Sequence, residues 1–365
     1  MIKQSATGLN SRNDADPFNK GGMLPIITAP MNTVVNETNY KVFLDNKIQV
    51  CFPRTVTGLD VRNLDDVKHA VKNIDYTWFS SSLNEFIKWY VEDKKPIRVP
   101  QNICIDTANG NMPKLHKAII DAKAIHGDKL VIMAGNVSST TAYEQLAATG
   151  VDYVRVGVGG GGACTTSVHT GVGQECLEKL IKDIKENSIP FVSFTGLYKQ
   201  EEMSNIEKCK IVADGISSFI AKEGLHSNGY AAINRLLVAG ADLVMIGSIF
   251  NKTLESAGEK KVQIGTSSKG EIVYNKSIKL TSTTAYDFMC HGHLFSQYRG
   301  MSTREEQKEY KEGGFRHSEG KSMYNKVLYT LDEWVNGSLR LPDEYPGFIN
   351  CLKSMMSYTG KSSLK

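Results

Sequence analysis

The chain has 365 residues, 41% hydrophobic and 22% charged, a balance too apolar and too evenly mixed for a disordered protein and sufficient for one large core. A net charge of +4 at this length supplies no reason for a nucleic-acid or membrane-surface partner, while phosphate-bearing small molecules stay open. Seven scattered cysteines without a CxxC pair argue against a disulfide framework or a zinc ribbon and for a reducing compartment. The first residues lack an apolar run of signal-peptide length, and no stretch approaches the roughly 20 apolar residues of a membrane span, so a soluble, cytoplasmic protein is expected.

Eight short β-rich runs follow one another: LPIITAP (24–30), KIQVCFP (47–53), TWFSS (77–81), ICIDT (103–107), LVIMAG (130–135), YVRVGV (153–158), KIVADG (210–215) and LVMIGS (243–248). Helical patterns lie between them. Leu64, Val67, Val71 and Ile74 have helical spacing, and so do Leu115, Ala118, Ile119 and Ala122, which follow Pro113 and precede Gly127 as a stop. Thr141 and Glu144 have capping-box spacing before Leu146 and Ala147, with Gly150 as a left-handed C-terminal residue. Eight βα units predict a closed (β/α)8 barrel in preference to an open doubly wound sheet. Without repeat, low-complexity tract or linker, residues 1–365 read as a single catalytic domain. The polar, irregular stretch 258–345 is expected to lie over the active face as a lid.

In such a barrel the chemistry sits just after the strands. After the sixth run comes GVGGGGACTTSVHTGVG (157–173), with far more glycine than an ordinary turn needs. Glycines permit positive φ and close backbone approach to a ligand, with amides that face an oxyanion and carbonyls that hold a cation. A free cysteine is more often buried and inert, but Cys164 stands inside this loop at the catalytic face beside the hydroxyls of Thr165 and Thr166, which favours a nucleophile. Asp214 is placed to accept ribose hydroxyls, with helix capping nearly as good an account, and Gly247 and Ser248 to offer an amide and a hydroxyl to phosphate. Asp106 is a further polar group at that face, with the same capping alternative. Arg54 suits a phosphate, a solvated surface arginine being the blander account. His291 and His293 lack a carboxylate or cysteine at ligand spacing and are not read as a metal site.

These motifs resemble the IMP dehydrogenase/GMP reductase family. The resemblance runs in order through LNSRNDA (9–15), PIITAPMNTV (25–34), IDTANGN (105–111), AGNV (134–137), VRVGVGGGGACTTSVHTGVG (154–173), VADG (212–215), AGADLVMIGS (239–248), YRGMS (298–302) and RHSEGK (316–321). It implies attack of the Cys164 thiolate on C2 of a purine nucleotide, with Thr166 and Glu319 protonating the departing amine. By the same resemblance Asp214, Gly215, Gly247, Ser248, Gly300, Met301, Ser302, Arg316 and Gly320 would bind GMP. Ser11, Arg12, Arg54, Asp106, Thr107, Ala108, Val158, Gly159 and Phe315 would approach NADPH, and Ser354 and Ser357 the cofactor of a neighbouring subunit in a homotetramer. The carbonyls of Gly159, Gly161 and Cys164 could bind a potassium ion.

Family dehydrogenases usually carry a regulatory two-repeat insert of CBS type, for which the stretch between Arg54 and Asp106 leaves no room, and a flap with an Arg-Tyr pair that has no counterpart here. DTANGN (106–111) and SEGK (318–321) look like the reductase. The expectation is therefore a GMP reductase; an IMP dehydrogenase lacking its regulatory module (IMP and NAD to XMP) and a noncatalytic purine-nucleotide-binding barrel are the alternatives. The chain departs from the family pattern at Gly162, where a phosphate-binding Ser is usual, at Asn32 for Asp and at Ser167 for a common Arg. ISSFIAKE (216–223) and FVSFTGLYKQEEM (191–203) look inserted, and the chain begins later than the family's usual leading segment.

Overall fold

The computed structural model describes the chain apart from residues 1, 7, 55–75, 95–96, 98–100, 189–198, 218–219, 221–227, 276–279, 301–302, 304–319 and 365. The eight apolar runs form eight strands: β1 (Ile26–Thr28), β2 (Val50–Phe52), β3 (Thr77–Ser81), β4 (Gln101–Asp106), β5 (Leu130–Val137), β6 (Tyr153–Val156), β7 (Lys210–Ala213) and β8 (Leu243–Ile246). They pair in parallel in the order β1-β8-β7-β6-β5-β4-β3-β2. A parallel bridge between Ile27 and Gln49, with Thr28 N donating to Gln49 O at 3.0 Å and Gln49 N to Ile26 O at 3.2 Å, joins the two ends of the sheet. The result is a (β/α)8 barrel, as the spacing of the runs predicts.

Side chains alternate across these strands with a period of two. Ile27, Cys51, Trp78, Cys104, Met133, Val212 and Met245 pack together inside the barrel. The intervening Ile26, Val50, Phe79, Ile103, Ile132, Val154, Ile211 and Val244 face the outer helices in the larger core. Apolar on both faces, such strands read as continuous hydrophobic runs.

The helix Pro113–His126 begins with proline at its first position and buries Leu115, Ala118, Ile119 and Ala122 on one face, and Gly127 ends it at φ +55°. Thr140–Ala147 differs from the expected cap. Ser139, not Thr141, is the N-cap, its side chain accepting from Ala142 N, because its extended backbone (φ −142°) leaves the hydroxyl free to reach the first turn. The Leu64–Ile74 pattern lies outside the described residues.

Beyond β8 the chain builds a second, antiparallel sheet of β9 (Lys260–Thr266), β10 (Ile272–Asn275), β11 (Leu294–Arg299) and β12 (Ser322–Lys326), in the order β10-β9-β11-β12. The sequence offers 258–345 only as irregular lid material, whereas much of it is regular sheet and helix. Asn251, fully buried after β8, ties this sheet to the barrel: its amide donates to Thr33 O (2.9 Å) and Gln297 O (2.8 Å), and its carbonyl accepts from Asn325 Nδ2 (2.9 Å). Replacing Asn251 by Ala removes all three bonds, with Thr33 O keeping only its bond from Gly258 N, at about 1–3 kcal/mol for each group orphaned. We expect Asn251→Ala to lower stability by at least about 2 kcal/mol in urea unfolding, with amide exchange accelerated first in β11 and β12.

Candidate active site

At the C-terminal ends of the strands lies a cavity of about 250 Å³. Its wall is made by Ala29 and Met31 after β1, Arg54 after β2, Asp106 to Ala108 at the end of β4, Asn136 on β5, Arg155 on β6, Gly157 to Gly161 with Ala163 and Cys164 after it, and Asp214 and Gly215 after β7. Tyr298 and Gly300, from β11 and just beyond it, close the wall from the second sheet.

The glycine loop turns back on the barrel. Gly157 has φ +129°, and a Cβ there would stand 2.2 Å from the Asp214 carbonyl oxygen, so only glycine lets the loop leave β6 so close to the end of β7. Gly161 O accepts from Cys164 N at 3.0 Å and Gly159 O from the Ser167 hydroxyl at 3.2 Å, so the loop is braced from within. Cys164 thereby faces the cavity half-buried, its thiol donating to Thr166 Oγ1 at 3.3 Å. The Thr165 hydroxyl oxygen is buried with no partner among the described residues.

Cys164 also pairs with the second sheet's approach strand. Gly320 forms an antiparallel bridge with Cys164, and Lys321 N donates to Ala163 O at 3.0 Å. Glu319, Phe315, Arg316, Met301 and Ser302 lie outside the described residues.

The carboxylates at the mouth are held by a residue that the sequence reading passes over. Arg155 occupies the inner position of β6, between outward Val154 and Val156, and its side chain is only 7% exposed. One terminal nitrogen meets Asp106 Oδ1 at 2.9 Å and the other Asp214 Oδ2 at 2.8 Å. Arg54 adds a second contact to Asp106 at 3.3 Å, so it is a site-facing cation rather than a solvated surface arginine. Asn136 Nδ2 donates to Asp214 Oδ2 at 2.8 Å and Gly215 N to Asp214 Oδ1 at 2.7 Å. Burial pushes the Asp106 carboxyl up, but the charges of Arg54 and Arg155 outweigh it and hold the group below the usual carboxylate range. Neither nearby capping nor surface solvation accounts for Asp106, which is an ion-pair partner. A charged residue at an inner position of an apolar strand was the signal available for Arg155.

Tyr298 is likewise absent from the sequence candidates. Burial, reinforced by Asp214 and Cys164, pushes its phenol well above the ordinary value and keeps it a proton donor.

The sequence-predicted residues fall into two places. Cys164, Thr166, Asp214, Gly215 and Gly300 share the cavity with Arg54, Asp106, Thr107, Ala108, Val158, Gly159 and Gly161. Gly247 adjoins it, since a Cβ there would meet Tyr298 Oη at 2.9 Å and Met31 Sδ at 3.1 Å. Ser11 and Arg12 stand elsewhere, on a short helical turn packed against the helix Phe348–Tyr358 that carries Ser354 and Ser357. His291 Nδ1 lies 2.9 Å from Asp287 O on an exposed turn away from the cavity lining.

Replacing Arg155 by Met removes one partner from two buried pairs, an expected loss of about 3–5 kcal/mol in urea unfolding. The pH dependence has a definite sign. Because the folded Asp106 group is depressed, its contribution is complete above about pH 4, the unfolded value, and disappears as pH falls through the lower folded value. In Arg155→Met the folded value moves back towards the unfolded one, so this contribution shrinks, measurable as a shallower acid limb of stability against pH.

Residues 99–274 match the model of the IMP dehydrogenase / GMP reductase domain. The chain is 29% identical over 272 residues to an inosine-5'-monophosphate dehydrogenase of Chlorobaculum parvum, covering 72% of this chain and 42% of that protein. It is 28% identical over 265 residues to a GMP reductase of Vibrio campbellii, covering 72% and 58%, and 29% identical over 265 residues to a GMP reductase of Buchnera aphidicola, covering 72% and 57%. The chain thus spans about half the length of the curated relatives it matches. With that domain match over residues 99–274, relatives from both branches, and a cysteine-bearing glycine loop on a (β/α)8 barrel, the chain is similar to the IMP dehydrogenase/GMP reductase family of oxidoreductases.

Proposed function

We propose that the chain is a GMP reductase, converting GMP to IMP and ammonia at the expense of NADPH through a covalent bond between Cys164 and purine C2. The observation that carries this reading is the Cys164 thiol, facing the cavity and donating to Thr166 Oγ1, opposite the Asp214 and Asp106 carboxylates. The reductase branch is supported by DTANGN (106–111), by SEGK (318–321) and by the short stretch between Arg54 and Asp106.

Each residue then has a chemical task. Asp214, held by Arg155 and Asn136, keeps acceptor capacity for the ribose hydroxyls. Cys164 Sγ adds to C2 while its proton passes to Thr166 and, with Glu319, to the 2-amino group; the C2–N bond breaks and ammonia departs. Gly215, Gly247, Ser248, Gly300, Met301, Ser302, Arg316 and Gly320 complete the nucleotide site. The cavity that holds Cys164 also has Arg54, Asp106, Thr107, Ala108, Val158 and Gly159 in its wall, which fits a nicotinamide nucleotide lying against the base. When bound, the reduced nicotinamide supplies hydride to C2. Cys164 then leaves as thiolate and IMP is free. Phe315 belongs to the cofactor side; Ser11 and Arg12, expected there too, stand away from the cavity beside the helix that carries Ser354 and Ser357, which would serve the cofactor of a neighbouring subunit in a homotetramer. The potassium site proposed for Gly159, Gly161 and Cys164 is weakened by the two hydrogen bonds that already engage the first two carbonyls, and no step depends on it. The chain acts as one catalytic domain in the cytoplasm, with 258–345 covering the active face.

The second reading, an IMP dehydrogenase without its regulatory module, is kept because relatives of both kinds match equally well. Following nicotinamide absorbance separates them: loss with GMP and NADPH supports the reductase, gain with IMP and NAD the dehydrogenase. Cys164→Ala is expected to lower turnover by at least about a thousandfold while GMP binding stays measurable by calorimetry. Unchanged turnover overturns the nucleophile.

A further inference from the structure

The loops after β6, β7 and β8 meet at a point that the cavity wall described above leaves out. Ser217, three residues past Asp214 in the ISSFIAKE segment, has its hydroxyl oxygen 2.5 Å from that of Ser248 after β8. The pair sits over Gly162 of the cysteine loop. A Cβ built on Gly162 would stand 3.4 Å from Ser217 Oγ and 3.5 Å from Tyr298 Cε1. The Tyr298 hydroxyl in turn lies 2.9 Å from where a Cβ of Gly247 would be. Three hydroxyls therefore converge over two positions that carry no side chain.

This arrangement suits one kind of group. In the Ser217–Ser248 pair one O–H is consumed by the other oxygen, leaving one proton free and polarised by its neighbour. Tyr298 keeps its proton, as its raised phenol value also indicates. Asp214, the carboxylate closest along the chain, is turned onto Gly215 N, Asn136 and Arg155. A recess of donors beyond strands seven and eight of a barrel takes a phosphate oxygen, which only accepts.

We propose that Ser217 is a specificity-determining residue that binds the phosphate monoester of the purine nucleotide, its hydroxyl acting with Ser248 over the bare backbone of Gly162. The proposal rests on the nucleotide reading above and adds to it the residue that tells a nucleotide from a nucleoside. It makes a reciprocal claim about position 162. The φ of Gly162 lies outside the left-handed region and its Cβ position is in ordinary contact with its neighbours, so a serine there would carry a hydroxyl into the space Ser217 Oγ fills.

The test measures dissociation constants of GMP and guanosine on the full chain by calorimetry or ligand-observed NMR. Losing one hydrogen bond to a charged oxygen corresponds to roughly tenfold or more. Ser217→Ala is expected to weaken GMP by that factor and leave guanosine unchanged, and Ser217→Ala combined with Gly162→Ser to regain most of the loss. Retained guanosine binding reports a folded site; if Ser217→Ala unfolds, Ser217→Cys, close in size and a poor donor, is read the same way. Equal loss for GMP and guanosine, or no loss for either, overturns the role of Ser217 while the nucleotide reading stands. If the unaltered chain binds neither GMP nor IMP, the nucleotide reading falls and this proposal with it.

Discussion

A single guanidinium at the centre of the barrel mouth sets the geometry of the site. Arg155 is a charge in a place that the rest of the barrel fills with apolar groups, and burial alone would make it costly. Its two terminal nitrogens face carboxylates on either side, Asp106 at the end of β4 and Asp214 just after β7. From β6 the arginine therefore ties the end of β4, two strands away, to the end of the adjacent β7, and the acids it engages stand on the proposed cofactor and nucleotide sides. Moving either carboxylate would expose an unpaired charge in a poorly hydrated cavity. The distance between the two halves of the site is in this way fixed by a planar, rigid cation rather than by loop packing.

The nucleophile is held differently. Cys164 has no buried charge to anchor it; its position follows from a loop braced on its own Gly161 carbonyl and on the strand that brings Gly320 alongside. One side of that brace belongs to the barrel and the other to the second sheet, which Asn251 fastens to the end of β8. A displacement of the second sheet would move the thiol relative to Asp214 without disturbing Arg155. The site thus combines a rigid binding floor with a nucleophile whose placement depends on a separable element, an arrangement that suits a reaction in which the substrate must enter before the covalent bond forms.

What the sequence made legible follows the same division. The barrel was readable because β1 to β8 are buried on both faces and stand out as apolar runs between amphipathic helices. The cysteine loop was readable because its glycines exceed the needs of a turn. Arg155 and Tyr298 were not found: each lies inside a stretch whose apolar or aromatic character signals a strand, and only the period-two alternation, applied residue by residue, separates an inward charge from its outward neighbours. The second sheet escaped for a related reason. β9 and β10 have largely exposed or half-exposed faces, so KKVQIGT (260–266) and IVYN (272–275) show weak contrast with the polar turns around them. Thr141 and Ser139 both satisfy the residue preference for a cap, and only backbone conformation decides between them.

A covalent bond to purine C2, as proposed above, would serve reduction and oxidation alike, because either reaction exchanges hydride between C2 and a nicotinamide while the sulfur is attached. Direction is decided by what else reaches C2: a departing amine in reduction, an attacking water in oxidation. On the proposed reading Asp214, held by Arg155, and Cys164 would take the sugar and the ring carbon in either case and so would not decide the direction. The discriminating groups must therefore be those that move protons at the exocyclic position. The Cys164 thiol donates to Thr166 Oγ1, and Gly320 bridges to Cys164. On the proposed reductase reading, the proton path from Cys164 would run through Thr166 to Glu319. A dehydrogenase would need a base for water at that position, whereas a reductase needs a proton donor there, so the protonation state of that group is what separates the two directions.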